Sequence, residues 1–378
     1  QSAPADRLAY SVVVVDGWER MLSTMNPDQL VTFRDQFMRI LREGPAVGVR
    51  VLITGDRGVS GDKITSFIDE QYVLPLRDLS DYRTAGIMTK DIPVDMPPGR
   101  VLFGAQGAEA QLATLSRDTG GEAQTTLLRR TVEQVRDHFD QFPELADLPV
   151  ALRVDPLPSY ISLTEALTLP VGDSGPAEGP VVAVGGDVLS RFTLDWPGAG
   201  GFLVAGPRRS GRSTALAGIV HQLASLTSTP LIVVSARESV LTEVARSHGI
   251  RIIDNPLLTP PELEALLPTD GSVVTIVVDD ADQHKNASIE HALTGVKHRA
   301  AFIVAADSDA LSTLFGGPVV EAKRSRQALV LRPESTIMGT QATGSPIPKF
   351  MLGRGTPGSA VVTTPAGWLA ARVPDVRQ

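Results

Sequence analysis

One short stretch, residues 206–214, constrains the fold of this chain more than any other part of the sequence. It reads Gly-Pro-Arg-Arg-Ser-Gly-Arg-Ser-Thr, follows an apolar run and precedes a helical pattern at 214–224. A strand, a glycine-rich loop and a helix in this order are typical of a phosphate-binding loop, whose backbone N–H groups and helix N-terminus bind anionic oxygens. The spacing fits, but Arg212 stands where such loops have lysine. We therefore predict a phosphate site with an altered cation.

The predicted nucleotide-binding residues are those of the loop itself: Gly206, Pro207, Arg208, Arg209, Ser210, Gly211, Arg212, Ser213 and Thr214. The Ser213 hydroxyl is the expected ligand of a Mg²⁺ ion. Arginine also pairs with phosphate, but its planar fork is bulkier than an ammonium group and is aimed differently, so the change is not conservative.

A second motif consists of the apolar run 273–278 followed by Asp279 and Asp280. Beside a phosphate-binding loop, Asp279 is expected to hold Mg²⁺ through water, and Asp280 to polarise the attacking water as the candidate catalytic residue. Asp280 is one methylene shorter than the glutamate that is usual there. Taken alone, the pattern fits a core strand with a solvated acidic end; paired with the loop, it favours a nucleotide site.

The chain has 378 residues, which predicts more than one domain. Alternating strand and helix patterns predict the α/β class. We expect domains at 1–145 and 181–378, separated by a Gly- and Pro-rich linker at 146–180.

A net charge of −8 argues against a broad basic surface for duplex DNA. The sequence contains no cysteine, which excludes disulfides and Cys-ligated zinc.

The first domain contains a similar strand pattern at residues 12–16, which ends in Asp16. An apolar run of this kind is typical of a buried parallel strand. Gly17 occupies the place of the catalytic glutamate, and no phosphate-binding loop precedes the strand. We expect a domain that is incomplete at its N-terminus.

Several of these segments carry a family resemblance. Asp16-Gly17-Trp18, residues 42–49 and Pro97-Pro98-Gly99-Arg100 resemble the C-terminal half of an FtsK/SpoIIIE-type ATPase domain. They are most similar to the tandem ATPase domains of EccC, the motor of actinobacterial type VII secretion. The second domain resembles the last, degenerate domain of such tandems, by its loop, its acid pair, residues 323–329 (with Ala328 in place of glycine) and residues 353–355.

The resemblance implies RecA-like P-loop NTPase domains in tandem, with ATP and Mg²⁺ as ligands. It implies contacts with other RecA-like domains of the same protein or with further copies. It also implies a cytoplasmic location at the inner face of the cell membrane, with membrane contact through a separate N-terminal part. A secreted protein is favoured over DNA as the substrate, because the chain ends without the basic winged-helix reader of DNA-translocating relatives.

Departures from the family pattern bear on catalysis: Arg212, Gly17, the shortened Asp280, and Thr54-Gly55 where DNA motors have Thr-Gln. We therefore predict an ATP-binding module of a translocation or secretion motor, with a degenerate nucleotide site that acts in regulation or substrate docking and with weak or absent hydrolysis. The alternative is an active ATP-driven DNA translocase.

Overall fold

The protein forms two compact units in a computed structural model, Gln1–Ala151 and Leu152–Gln378. The division falls inside the range 146–180. The structure describes residues 10–25, 27–88, 90, 92–104, 107–139, 154–172, 178–196, 198–353 and 355–377. Residues 146–153 and 173–177 of the expected linker, and Arg354 of the segment 353–355, lie outside the described residues.

The first unit opens with a parallel strand pair packed under helices. The elements are β1 (Ser11–Val15), α1 (Trp18–Ser23), α2 (Pro27–Glu43), a 3-10 helix (Gly44–Val47) and β2 (Val49–Ile53). β1 and β2 pair in parallel from Ser11 with Val49 to Val15 with Ile53. Trp18, Phe37 and Leu41 pack against one face of this pair and form a small core with Val15.

The other face of β1 is exposed among the described residues: Val12 is 68% and Val14 62% accessible. The prediction of a strand buried on both faces is therefore wrong for the described part of this unit. The reason is that α2 covers one side of the pair, so alternate residues point to solvent.

The rest of the first unit contains short helices and a small antiparallel sheet of β3, β4 and β5. Its elements are α3 (Arg57–Ser60), a 3-10 helix (Lys63–Phe67), β3 (Tyr72–Val73), α4 (Leu79–Thr84), β4 (Arg100–Phe103), β5 (Ala108–Gln111) and α5 (Gly121–Phe139).

The second unit is built on one large sheet. Its strands are β6 (Val181–Gly185), β7 (Ser190–Thr193), β8 (Gly201–Gly206), β9 (Leu231–Val234), β10 (Arg251–Ile253), β11 (Val274–Val278), β12 (Ala300–Asp307), β13 (Ala328–Leu331), β14 (Ser359–Thr364) and β15 (Gly367–Arg372). Within the described residues the order is β10-β9-β11-β12-β8-β13-β14-β15-β6-β7. The strands from β10 to β13 are parallel, whereas β14, β15, β6 and β7 pair in antiparallel fashion.

Helices cover both faces of the parallel part. They are α7 (Arg212–Leu226), α8 (Val240–Ser247), α9 (Pro260–Glu264), α10 (Ser288–Gly295), α11 (Gly317–Arg324) and α12 (Thr336–Thr343), with 3-10 helices at Ala281–His284, Ala310–Thr313 and Lys349–Met351. Alternate residues of β8 enter two different cores: Leu203 lies in one and Phe202 in the other. A parallel strand covered on both faces must be apolar throughout, which explains the runs in β8, β11 and β12.

A short helix, α6 (Leu163–Thr168), precedes the sheet and packs on it. A capping box between Ser162 and Glu165 starts this helix, since the side chain of each accepts from the other's backbone N–H. Ile161 and Leu163 are buried against β6. The described residues 154–172 of the range 146–180 therefore pack on the second unit.

The topology brings several loops together. β8, β9, β11 and β12 are parallel neighbours, so the residues that follow their carboxyl ends meet at one edge of the sheet. This edge holds the loop at 206–212 and the acid pair. No helix in the described part of the chain is long and apolar enough to cross a membrane.

Candidate nucleotide-binding site

The loop between β8 and α7 has the backbone geometry of a phosphate-binding loop. Gly211 is the N-cap of α7 with φ 101°, a left-handed conformation that glycine adopts readily. A Cβ atom on Gly206 would lie 2.6 Å from Ser210 Oγ and 2.9 Å from Leu331 Cβ, so this glycine permits a close approach of chain segments. The N-terminus of α7 adds partial positive charge at the same place.

Arg212, the residue in the lysine position, lies inside the loop. It is 8% exposed. Its Nη1 donates to the Gly206 carbonyl at 2.6 Å, and its Nη2 donates to Asp280 Oδ1 at 2.6 Å. Asp307 Oδ2, at the end of β12, lies 3.6 Å from Nη1. The guanidinium group is therefore held between the loop backbone and two carboxylates.

Asp280 is the second residue after β11 and is 7% exposed. Its backbone is left-handed, with φ 45°. Besides Arg212, it pairs through Oδ2 with the Nη2 of Arg237, whose side chain is 66% exposed. One buried carboxylate is thus shared by two guanidinium groups, one from the loop and one from the segment after β9.

The neighbouring acid, Asp279, contacts the first turn of α7. Ser213 Oγ donates to Asp279 Oδ2 at 2.7 Å, and the backbone N–H of Asp280 donates to Asp279 Oδ1 at 3.1 Å. Burial raises the pKa of Asp279, and the Ser213 hydrogen bond together with Arg237 and Arg212 opposes that shift. The two predicted Mg²⁺ ligands are therefore in direct contact.

These residues do not fit a Mg²⁺ ion as they stand. All four oxygens of the acid pair have protein donors: Asp279 from Ser213 and a backbone N–H, Asp280 from two guanidinium groups. Mg²⁺ needs oxygen ligands and keeps several waters. Asp279 is 2% exposed, which leaves little room for water around its carboxylate. The contact between Ser213 and Asp279, the two predicted Mg²⁺ ligands, is compatible with a metal, so the misfit lies at the neighbouring Asp280, whose two oxygens are held by Arg212 and Arg237.

Two cavities lie around the loop. The larger, ≈ 620 Å³, is lined by Arg208, Arg209, Arg212, Arg237, Asp280 and Gln283. Four guanidinium groups face one carboxylate, so this cavity is suited to an anion with several negative charges. The smaller, ≈ 260 Å³, shares Arg209 with the first and is also lined by Ser210 and Thr214. The Ser210 hydroxyl is buried and has no hydrogen-bond partner among the described residues.

The structure brings the predicted residues together at one edge of the sheet. Six of the nine predicted loop residues border the two cavities; Gly206, Pro207 and Ser213 do not. The Pro207 carbonyl accepts a hydrogen bond from the Ser210 N–H at 3.2 Å. Sequence reasoning missed Arg237 and Asp307. Both follow or end parallel strands of the sheet, at the edge where ligands bind in open α/β folds, and this position was the signal that could have identified them.

In the first unit, the strand ends carry a polar contact of their own. Thr54 Oγ1 donates to Asp16 Oδ1 at 2.5 Å, and the Gly17 N–H donates to Thr54 Oγ1 at 2.9 Å. Gly17 is left-handed, with φ 75°. Asp16 and Gly17, which belong to a segment that carried the family resemblance, therefore lie beside Thr54, whose segment departs from the family pattern, after β1 and β2.

Comparison with solved structures shows tandem ATPase folds over the whole chain. The EccC protein of Thermomonospora curvata (ATPases 2 and 3, in complex with a signal sequence peptide) aligns with a TM-score of 0.52 and 18% identity, covering 100% of this chain and 70% of that chain. EssC from Geobacillus thermodenitrificans (ATPases 2 and 3) aligns with a TM-score of 0.58 and 15% identity, covering 98% and 72%.

The cytoplasmic domain of the T. curvata type VII secretion ATPase EccC aligns with a TM-score of 0.53 and 18% identity. It covers 99% of this chain and 45% of that one, so the chain spans about half of that longer domain. No protein-family model and no curated protein sequence matches the chain. At these identities the similarity shows the fold: the predicted α/β class, the tandem P-loop architecture and the resemblance to EccC-type ATPase domains are confirmed.

Proposed function

We propose that this chain is a nucleotide-binding module of a translocation or secretion motor, in which the second unit holds ATP without rapid turnover and acts in regulation or substrate docking. The fold supports the motor assignment, because both solved tandem structures are EccC or EssC ATPases. The altered loop chemistry supports the regulatory role.

One observation carries the proposal: Arg212 and Asp280 are bound to each other. In an active site of this type, the loop cation binds the terminal phosphates and the second acid polarises the attacking water. Here the two groups form a buried ion pair, with side chains 8% and 10% exposed. Asp280 in this state faces guanidinium groups, so it has no free oxygen to accept a proton from water.

The proposed ligand is ATP, because the loop, the helix N-terminus and the arginine-lined cavity all favour a polyphosphate. The proposed partners are other RecA-like domains, in the same protein or in another copy, and a secreted protein as substrate. The structure of T. curvata EccC with a signal sequence peptide motivates the choice of a secreted protein over DNA. We place the module at the inner face of the cell membrane, attached through another part of a larger protein.

Binding and turnover, measured separately on the full chain, test the proposal. We expect isothermal titration calorimetry to detect ATP binding, and a steady-state phosphate-release assay to detect little or no hydrolysis in excess ATP and Mg²⁺. Turnover near or above about 1 s⁻¹, the low end of typical enzymes, would contradict a non-hydrolysing site. An absence of heat and of any competition by ADP would contradict nucleotide binding itself.

A further inference from the structure

We propose that the second unit binds the phosphates of its nucleotide without a metal ion, with the guanidinium groups of Arg212 and Arg237 supplying the positive charge that Mg²⁺ supplies elsewhere. The preferred ligand is then the uncomplexed polyphosphate chain of a nucleoside triphosphate. The inference rests on the proposed function, since it concerns the same site, and it adds the ionic form of the ligand.

The first support is the balance of charge in the larger cavity. Its lining includes four arginines and one aspartate. Arg212 and Arg237 share Asp280, and Arg208 and Arg209 have no carboxylate partner among the described residues. A polyphosphate without Mg²⁺ carries more negative charge than its metal complex, and all of its phosphate oxygens remain available to these arginines. A metal ion brought in with the phosphates would instead add charge of the same sign as the arginines.

The second support is the use of the carboxylate oxygens. A metal–nucleotide complex needs oxygen atoms of the acid pair, either directly or through water. Arg212 and Arg237 already hold both oxygens of Asp280. Freeing Asp280 for its expected role beside a metal-bound nucleotide would leave the buried Arg212 beside a divalent cation, with the Gly206 carbonyl and the more distant Asp307 as its remaining partners. A phosphate without a metal avoids this conflict, because it can bind the remaining N–H donors of the arginines while Asp280 keeps its two partners.

The third support is the geometry of arginine itself. A guanidinium group presents several donors in a fixed plane and forms paired hydrogen bonds with phosphate oxygens. Arg212 already uses two separate nitrogens for two acceptors in the loop and the acid pair. Arg237 approaches the same carboxylate from a more exposed position, from which it can turn toward an incoming phosphate. Together, the two side chains offer phosphate two planar guanidinium groups, in place of the lysine ammonium group and the metal ion of other phosphate-binding loops.

The test is a calorimetric titration of the full chain with ATP, once in EDTA and once in excess MgCl2. We expect the dissociation constant to be lower in EDTA, and about tenfold higher in Mg²⁺, the change that corresponds to losing one charge-assisted contact of about 1.4 kcal/mol. Tighter binding in Mg²⁺ would overturn the inference and leave the proposed function standing. An absence of binding under both conditions would overturn the inference and the nucleotide-binding proposal together.

Two variants separate the role of the arginines from a general effect of charge. Arg212→Lys should make Mg²⁺ favourable again, so that the ratio of the two dissociation constants reverses. Arg251→Lys, an exposed position at the start of β10, is the matched control and should keep the wild-type ratio. Should Arg212→Lys unfold the unit, the exposed Arg237→Gln carries the test: it should weaken binding in EDTA more than in Mg²⁺. An unchanged ratio in both site variants would contradict the inference.

Discussion

Replacing Asp280 with asparagine is the sharpest test of the buried ion pair at the centre of this site. The substitution keeps the size of the side chain and removes its charge. Arg212, 8% exposed, then loses its closest acidic partner at 2.6 Å. Removing one partner of a buried pair costs about 3–5 kcal/mol, because the other charge stays buried. Two acceptors remain, the Gly206 carbonyl at 2.6 Å and Asp307 at 3.6 Å, so we expect the lower end, about 3 kcal/mol.

Thermal unfolding of the full chain, with the transition of the second unit followed by calorimetry, measures this loss. A destabilisation of about 3 kcal/mol lowers the midpoint of a unit of this size by roughly 6–12 °C. Asp309→Asn is the matched control, because Asp309 is exposed and its carboxylate pairs with no described residue. Its midpoint should stay within about 2 °C of the wild type.

The same variant should respond more strongly to polyphosphate. Asparagine no longer competes with phosphate for Arg212 and Arg237, so ATP added in EDTA should raise the midpoint of Asp280→Asn by more than it raises the wild-type midpoint. The reasoning is refuted if the variant unfolds at the wild-type temperature, since Asp280 then contributes no charge balance. It is equally refuted if ATP stabilises the variant less than the wild type.

Two further predictions concern the folded framework. Burial raises the pKa of Asp62, but hydrogen bonds from Arg34 and Trp18 outweigh it and hold the pKa below the ordinary value of an aspartate. Asp62→Asn should therefore destabilise the first unit by about 1 kcal/mol in urea denaturation at neutral pH, and this difference should vanish as the pH falls through the lowered pKa. Gln222, buried in α7, bonds to both the N–H and the carbonyl of Val181. Gln222→Met leaves both groups unpaired and should destabilise the second unit by about 2 kcal/mol in thermal unfolding, whereas a change below 0.5 kcal/mol would contradict a structural role for this amide.

The sequence alone was enough to locate the loop and the strand of the acid pair. The apolar run before the loop is β8, and the helix predicted at 214–224 is α7, which begins two residues earlier. These elements are predictable because an apolar run, a glycine-rich turn and a helical period are local properties of the chain. The two loop glycines are also explained by local geometry. Gly206 permits a close approach of chain segments, and Gly211 has a left-handed backbone conformation.

The sequence marks strand ends as candidate positions, but it does not say which side chains contact Arg212. Asp280 is separated from it by 68 positions, Asp307 ends β12, and Arg237, which shares Asp280, follows β9. Only the sheet order β9-β11-β12-β8 places all four at one edge. The burial of β1 was mispredicted for a related reason, since a short valine run cannot indicate whether one or two layers of helices will cover it.

The two unusual residues of the site are best understood as one change. Arginine reaches further than the lysine it replaces, and aspartate is one methylene shorter than the usual glutamate, so the lengths compensate and the groups meet at 2.6 Å. The backbone favours the same choice: Asp280 has φ 45°, a left-handed conformation that aspartate adopts more readily than most residues. The pairing therefore links the two departures in one contact: the loop keeps its glycines, its Ser213 and its helix, while Arg212 and Asp280 form a buried pair of opposite charges.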